Sequence, residues 1–223
     1  MSKKAIIEEL MVDEWQDEDY TPSFNIAPTQ NSLVLVQEGG DNIVKSMKWG
    51  LIPAWSKSES HGSKMINARI ETVTTKPSFK NLIPKNRCIV LSDGYYEWKR
   101  SGGRKVPFFI QQKGSGLMFF AGLWTTWSMS SERIFTYTIL TTKARKSISA
   151  IHDRMPVILS KSKVDMWINS ENNYLEIEKD ILNDVQELDH YQVSNFVNST
   201  RSNSIKCITP FKGNESLNLF GNN

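Results

Sequence analysis

At 223 residues the chain is long enough to bury a substantial core, and one domain of mixed architecture is the natural reading. Apolar residues at 39% and aromatics at 10% exclude a disordered chain, which would be poor in the large side chains that offset conformational entropy. Two Cys (Cys88, Cys207) and three His (His61, His152, His190), scattered along the chain, supply neither a disulfide framework nor a zinc-ligand spacing, so we expect a reduced, cytoplasmic protein with no metal and no cofactor.

In chain order, Ile6, Ile7, Leu10, Met11 and Trp15 fall on one face of a helix over residues 3–15, with Glu8, Glu9, Asp13 and Glu14 on the other. The acidic WQDEDYTP breaks it, and Pro22 and Pro28 bracket an extended segment before SLVLVQ, which reads as a strand turned back at 38–41. Strands then dominate: NIVKSMKW, RCIVLSDGYYEWK, PFFIQQ, LMFFAGLWTTW and RIFTYTILTT are rich in aromatic or β-branched residues. The Gly-containing stretches 101–104 and 114–116 read as hairpin loops, and short helices are expected at 143–149, 161–168 and 174–184.

The pattern predicts an α+β fold: a single domain over residues 1–212 with a curved, barrel-like, mostly antiparallel sheet and peripheral helices, followed by a frayed polar tail over 213–223. No apolar run reaches the ~18 residues of a membrane span, and the charged start MSKKAIIEEL is unlike a secretory signal. We expect no membrane partner and a monomer.

The net charge of +3 hides an asymmetry. Residues 41–110 hold thirteen Lys or Arg against five Asp or Glu, a balance of +8, while the rest of the chain sums to −5. Such a surface suits a polyanion, or is simply a solvated basic face.

Four segments place polar residues where a plain core strand would not: FNIAP (24–28), MINARIET (65–72), SDGYYEWK (92–99) and IHDRMPVIL (151–159). Glu97 ends a strongly apolar strand, where burial beside Tyr95, Tyr96 or Trp98 would raise its pKa; the alternative is a solvent-facing Glu beside Lys99 and Arg100. His152 could act as acid or base, or be a satisfied structural His. Asn67 and Arg69, two apart, share one side of an extended backbone; otherwise the Asn bonds backbone and the Arg points into water. Trp55, after Pro53, could stack on a base, though most of seven Trp must be structural, and Trp49 is assigned to the core. Cys88, inside CIVL, and Cys207, inside IKCITP, read as small buried hydrophobes.

These strings, with WGLIPAW at 49–55, stand in the order found in the SOS-response-associated peptidase family, which the chain resembles over roughly residues 20–200. The resemblance implies a β-rich α+β domain whose groove binds single-stranded DNA containing abasic sites. It implies sugar-opening roles for Asn67, Glu97 and His152, and DNA contacts from Arg69 and Trp55, with Thr141, Arg154, Asn25 and Pro28 at further DNA-facing positions. The family's chemistry is a thiazolidine crosslink between an N-terminal Cys and the abasic deoxyribose; its name records a proposed peptidase activity. Family members begin Met-Cys-Gly-Arg, whereas this sequence begins Met-Ser-Lys-Lys, with MSKKAIIEEL falling on the family's first helix. We expect a shortened start whose longer form holds the Cys, and set against it a variant that has lost crosslinking. The competing functions are a noncatalytic module binding single strands or junctions, and a cysteine-type peptidase, for which no exposed nucleophile can be named.

Overall fold

The β-branched and aromatic runs fold as strands and the amphipathic runs as short helices. The structure, a computed structural model, describes residues 2–129 and 132–213. Helix α1 (Lys3–Leu10) leads into β1 (Glu14–Trp15), β2 (Asn31–Glu38), β3 (Asp41–Trp49), β4 (Asn67–Arg69), β5 (Arg87–Ser92), β6 (Tyr95–Ser101), β7 (Arg104–Gln112), β8 (Met118–Met129) and β9 (Glu132–Lys143). After α2 (Lys146–Ser149) come β10 (Arg154–Pro156), β11 (Ile158–Leu159), α3 (Lys161–Ile168), α4 (Tyr174–Leu182) and β12 (Leu188–Gln192).

Strands β3, β2, β5, β8 and β9 lie side by side, and β3 pairs back onto β9 through Lys48↔Thr136 and Trp49↔Tyr137, closing a five-stranded barrel. The expected α+β domain with a barrel-like sheet is present. Its pairings are mixed, since β1–β3, β3–β9 and β4–β9 are parallel and the rest antiparallel. Alternation sorts the strand residues. Val34, Val36, Cys88, Val90, Met118, Phe120, Tyr137 and Ile139 form a cluster with no helical member, inside the barrel. Leu33, Leu35, Ile89, Leu91 and Phe119 face outward and are covered by Ile6 and Leu10 of α1, Trp167 of α3 and Tyr174 of α4. Arg87, buried, ties α3 to β5: its guanidinium donates to the carbonyls of Ile83 (2.8 Å), Trp167 (2.5 Å), Asn172 (2.9 Å) and Asn169.

The structure differs from the sequence reading at four places. The run RCIVLSDGYYEWK is two strands in two sheets, β5 in the barrel and β6 in a three-stranded sheet ordered β12-β7-β6. Gly94 allows the crossing, because a Cβ there would stand 2.4 Å from Phe109 Cζ and 2.6 Å from the Ile110 carbonyl. Residues 114–116 are therefore no hairpin loop; they carry the chain from β7 in the second sheet to β8 in the barrel. Helix α1 stops at Leu10, where Met11 turns left-handed (φ 48°) and Asp13 takes the Asn42 amide (2.8 Å), so Trp15 lies on an edge strand. The helix expected over 143–149 shrinks to a single turn because β9 runs on to Lys143. Of the expected tail, residues 214–223 lie outside the described residues. Among the described residues no helix is long and apolar enough to cross a membrane.

Candidate active site

Period-2 alternation sends Tyr95 and Glu97 to one face of β6, toward the segment joining α2 to β10, which carries His152. Glu97 Oε1 stands 3.8 Å from His152 Nδ1, with Asp153 Oδ1 3.4 Å from the same nitrogen. Burial is the main influence on Glu97 and raises its carboxyl above the ordinary value; the His152 ring and the Trp98 amide pull the other way without cancelling it. The imidazole is held by one residue in two ways. Its Nδ1 lies 3.1 Å from both the Arg154 amide nitrogen and the Arg154 carbonyl oxygen. A ring with its proton on Nε2 accepts from the amide, and a ring protonated at Nδ1 donates to the carbonyl, so the imidazole keeps its place in either state. A carboxyl biased toward its acid form beside a ring that tolerates both proton positions is equipped for proton transfer.

The register brings the other residues to the same end of the barrel. Strand β4 lies parallel on β9 with Asn67 opposite Ile139 and Arg69 opposite Thr141, and both Asn67 and Arg69 are exposed on the same side. On the other flank of β9, β10 sets Pro156 opposite Thr141 and Arg154 opposite Lys143. Arg154 reaches across: its guanidinium donates to the Thr141 carbonyl (2.6 Å) and hydroxyl (3.3 Å) and forks onto Glu71 at 2.7 and 2.9 Å. That fork holds the Glu71 carboxyl below its ordinary range. Thr141, buried, donates at 3.5 Å to the Ala68 carbonyl. Arg154 and Thr141 thus stitch β4, β9 and β10 together, whereas Arg69 makes no side-chain hydrogen bond or ion pair among the described residues and acts on Glu71 only through its charge.

Trp55 is 63% exposed, with the His61 ring 6.3 Å from its own. Its loop is anchored from below, because the Trp127 indole donates to the Ser56 carbonyl (2.9 Å) and Ser56 Oγ meets His61 Nδ1 at 2.5 Å. This Ser–His pair is a loop clasp: Ser56 is buried and its hydroxyl donates to the Ser58 carbonyl (2.7 Å). Pro28 is exposed. Asn25 is buried, and its amide donates at 3.1 Å to the carbonyls of Val197, Ser199 and Ser202, so it secures the 197–202 segment. Trp49 is half-buried against the barrel core and donates to the Ile66 carbonyl (2.9 Å), just ahead of Asn67. Cys88 and Cys207 are both fully buried, and burial pushes the Cys88 thiol far up.

Glu71, Ser56 and His61 were not singled out from sequence. Glu71 meets an arginine 83 residues away, so no local signal marks it. Tyr95 did carry a signal, its period-2 relation to Glu97, and its buried hydroxyl has no hydrogen-bond partner among the described residues. Among the described residues no group of three His, Cys, Asp or Glu could hold a metal ion.

The raised Glu97 carboxyl implies a stability change. A carboxyl whose folded pKa exceeds its unfolded value keeps a proton that the unfolded chain has already lost, so stability falls as pH rises through that window and stays lower above it. Glu97→Gln should therefore melt above the wild type at pH 7 to 8, with the difference vanishing below about pH 4, the usual carboxylate range. Thermal melts of both proteins across pH 3.5–8 check it, and an equal or lower melting temperature for Glu97→Gln at neutral pH contradicts it.

A mixed five-stranded barrel with a Glu–His pair, an asparagine and an exposed arginine at one end defines a polar site on a β-rich scaffold. The sequence pattern of the family described as SOS response associated peptidase (SRAP) matches residues 1–200, and the chain belongs to that family. It is 42% identical over 208 residues to the abasic site processing protein YoqW of Bacillus subtilis (strain 168), covering 91% of this chain and 93% of that protein. It is 31% identical over 233 residues to the abasic site processing protein HMCES of Gallus gallus, covering 89% and 69% of the two chains. A crystal structure of a protein from Bacteroides thetaiotaomicron superposes with a TM-score of 0.73 at 31% identity, over 82% of each chain. A structure from Bordetella bronchiseptica, at 22% identity and TM-score 0.73, shares the fold.

Proposed function

We propose that this protein recognises abasic sites in single-stranded DNA and opens the closed sugar at the Glu97–His152 pair. The observation that supports this reading is a carboxyl raised by burial 3.8 Å from an imidazole, in a family whose relatives are abasic site processing proteins. An abasic deoxyribose is mostly a closed hemiacetal. Opening removes the proton of the C1 hydroxyl and delivers one to the ring oxygen as the bond from C1 to that oxygen breaks, leaving an aldehyde. The imidazole can take the first proton and the carboxyl, which burial biases toward its acid form, can give the second. Asn67 presents an amide to the sugar and Arg69 a guanidinium to a phosphate. Trp55 offers an exposed indole on which a base can stack. Pro28, exposed, is assigned to the groove wall by the family resemblance.

A thiazolidine with the aldehyde needs an amine and a thiol on one residue, which buried Cys88 and Cys207 do not offer. A second reading, a noncatalytic module binding single strands or junctions, is favoured by the +8 balance of residues 41–110. Abasic oligonucleotide incubated with the protein and run under denaturing conditions separates the two, since only covalent capture leaves a surviving band.

Binding itself should be electrostatic and strand-selective, given the +8 balance of residues 41–110. Affinity for single-stranded DNA should fall steeply between 50 and 200 mM salt, as phosphate neutralisation requires. Fluorescence anisotropy with single-stranded and blunt duplex oligonucleotides tests this. Equal affinity for both, or a flat salt response, contradicts it.

A further inference from the structure

Beyond Glu97, strand β6 continues outward as a ribbon with β7. The register sets Glu97 opposite Phe108, Trp98 opposite Pro107, Lys99 opposite Val106, Arg100 opposite Lys105 and Ser101 opposite Arg104. Gly102 (φ 55°) and Gly103 (φ 78°) close it as a two-residue turn with both φ angles positive, whose twist matches the strands and makes the tip a defined arm. Arg100, Arg104 and Lys105 are exposed and Lys99 half-buried, and among the described residues none of the four has an ion pair or a side-chain hydrogen bond. Arg100 directly opposite Lys105 is a like-charge pair, which weakens a hairpin. Four cations without an ion pair among the described residues, on one short ribbon next to Glu97, suit an external polyanion.

Strand geometry separates the four. Residues directly opposite share a face and residues two apart share a face. Glu97, Lys99 and Arg104 therefore lie on the face that presents Glu97 to His152, while Arg100 and Lys105 lie on the face of Tyr96 and Trp98. Along the first face the groups step outward by two residues at a time, about 7 Å per step. We propose that Lys99 and Arg104 form a phosphate track: they hold the backbone of the DNA strand as it leaves the Glu97–His152 site. Arg100 and Lys105, on the reverse face, take no part in it.

This inference rests on DNA being the ligand of the site, and the test keeps the two apart. Two double variants of the full chain remove the same charge from opposite faces: Lys99→Gln with Arg104→Gln, and Arg100→Gln with Lys105→Gln. Affinities for a single-stranded 20-nucleotide oligonucleotide, with or without one central abasic site, are measured from 50 to 300 mM salt. The first double variant is expected to bind about tenfold more weakly at low salt, with its salt slope shallower by about 1.4, or 0.7 per lost single-strand phosphate contact. The second should change the slope by less than half as much. A charge-keeping exchange, Lys99→Arg with Arg104→Lys, should retain the wild-type slope, which excludes misfolding as the cause. Equal losses in the two neutralised doubles, or a loss in neither, would overturn the track. Failure of the wild type to prefer the abasic oligonucleotide would instead count against the reading of the site, leaving the comparison of faces intact.

Discussion

A polypeptide carrying Met-Cys-Gly-Arg ahead of Ser2 is expected to form a DNA crosslink that survives denaturation, and a polypeptide made of residues 1–223 alone is expected to form none. The difference is all-or-none because thiazolidine formation consumes an amine and a thiol of the same residue: the amine condenses with the aldehyde, expelling water, and the thiol adds to the resulting imine carbon. Neither cysteine can serve. Cys88 lies inside the barrel with its thiol disfavoured from ionising, and Cys207 is buried in a separate cluster with Phe109 of β7, Val193 and Val197. Cys88→Ser and Cys207→Ser in the extended chain should leave the yield of crosslink unchanged. A crosslink formed equally fast by the unextended chain and abolished by either serine substitution would show that the nucleophile has been misplaced.

The second large effect concerns the proton carriers. In the extended chain at saturating abasic DNA, Glu97→Gln or His152→Ala should slow single-turnover capture by about 10²- to 10⁴-fold, the range for loss of a general acid or base, with little change in affinity. Arg69→Ala should do the reverse, weakening binding by about 1.5–3 kcal/mol, as for a charged hydrogen bond, while capture at saturation stays near wild type. Single-turnover gels for the three variants check the split. Unchanged capture rates for both Glu97→Gln and His152→Ala would place the chemistry elsewhere.

What the sequence made legible was local. The helix over 161–168 and the strand of SLVLVQ appear as read, because apolar spacing and β-branched content fix each within a single element. The 101–104 hairpin follows from two glycines able to adopt positive φ. The break at Gly94 was not legible, since it depends on Phe109 and Ile110 lying against that glycine across the sheet. The same holds for the site. Asn67 and Arg69 share a side because of their spacing, but Arg154 being drawn onto Glu71 and Thr141 depends on the parallel β4–β9 pairing and the antiparallel β9–β10 pairing, both set by tertiary structure. Asn25 shows the same limit: the FNIAP motif marks it, while only the structure shows its amide holding three carbonyls more than 170 residues away.

The most direct measurement of sugar opening needs no cysteine. An alkoxyamine captures the abasic aldehyde as an oxime, releasing water, and at high alkoxyamine the rate is limited by how fast the sugar opens. Single-stranded abasic oligonucleotide saturated with this protein is predicted to be captured faster than the free oligonucleotide, and Glu97→Gln is predicted to remove the acceleration while still binding. Capture at the same rate with and without bound protein would contradict a ring-opening role for Glu97 and His152.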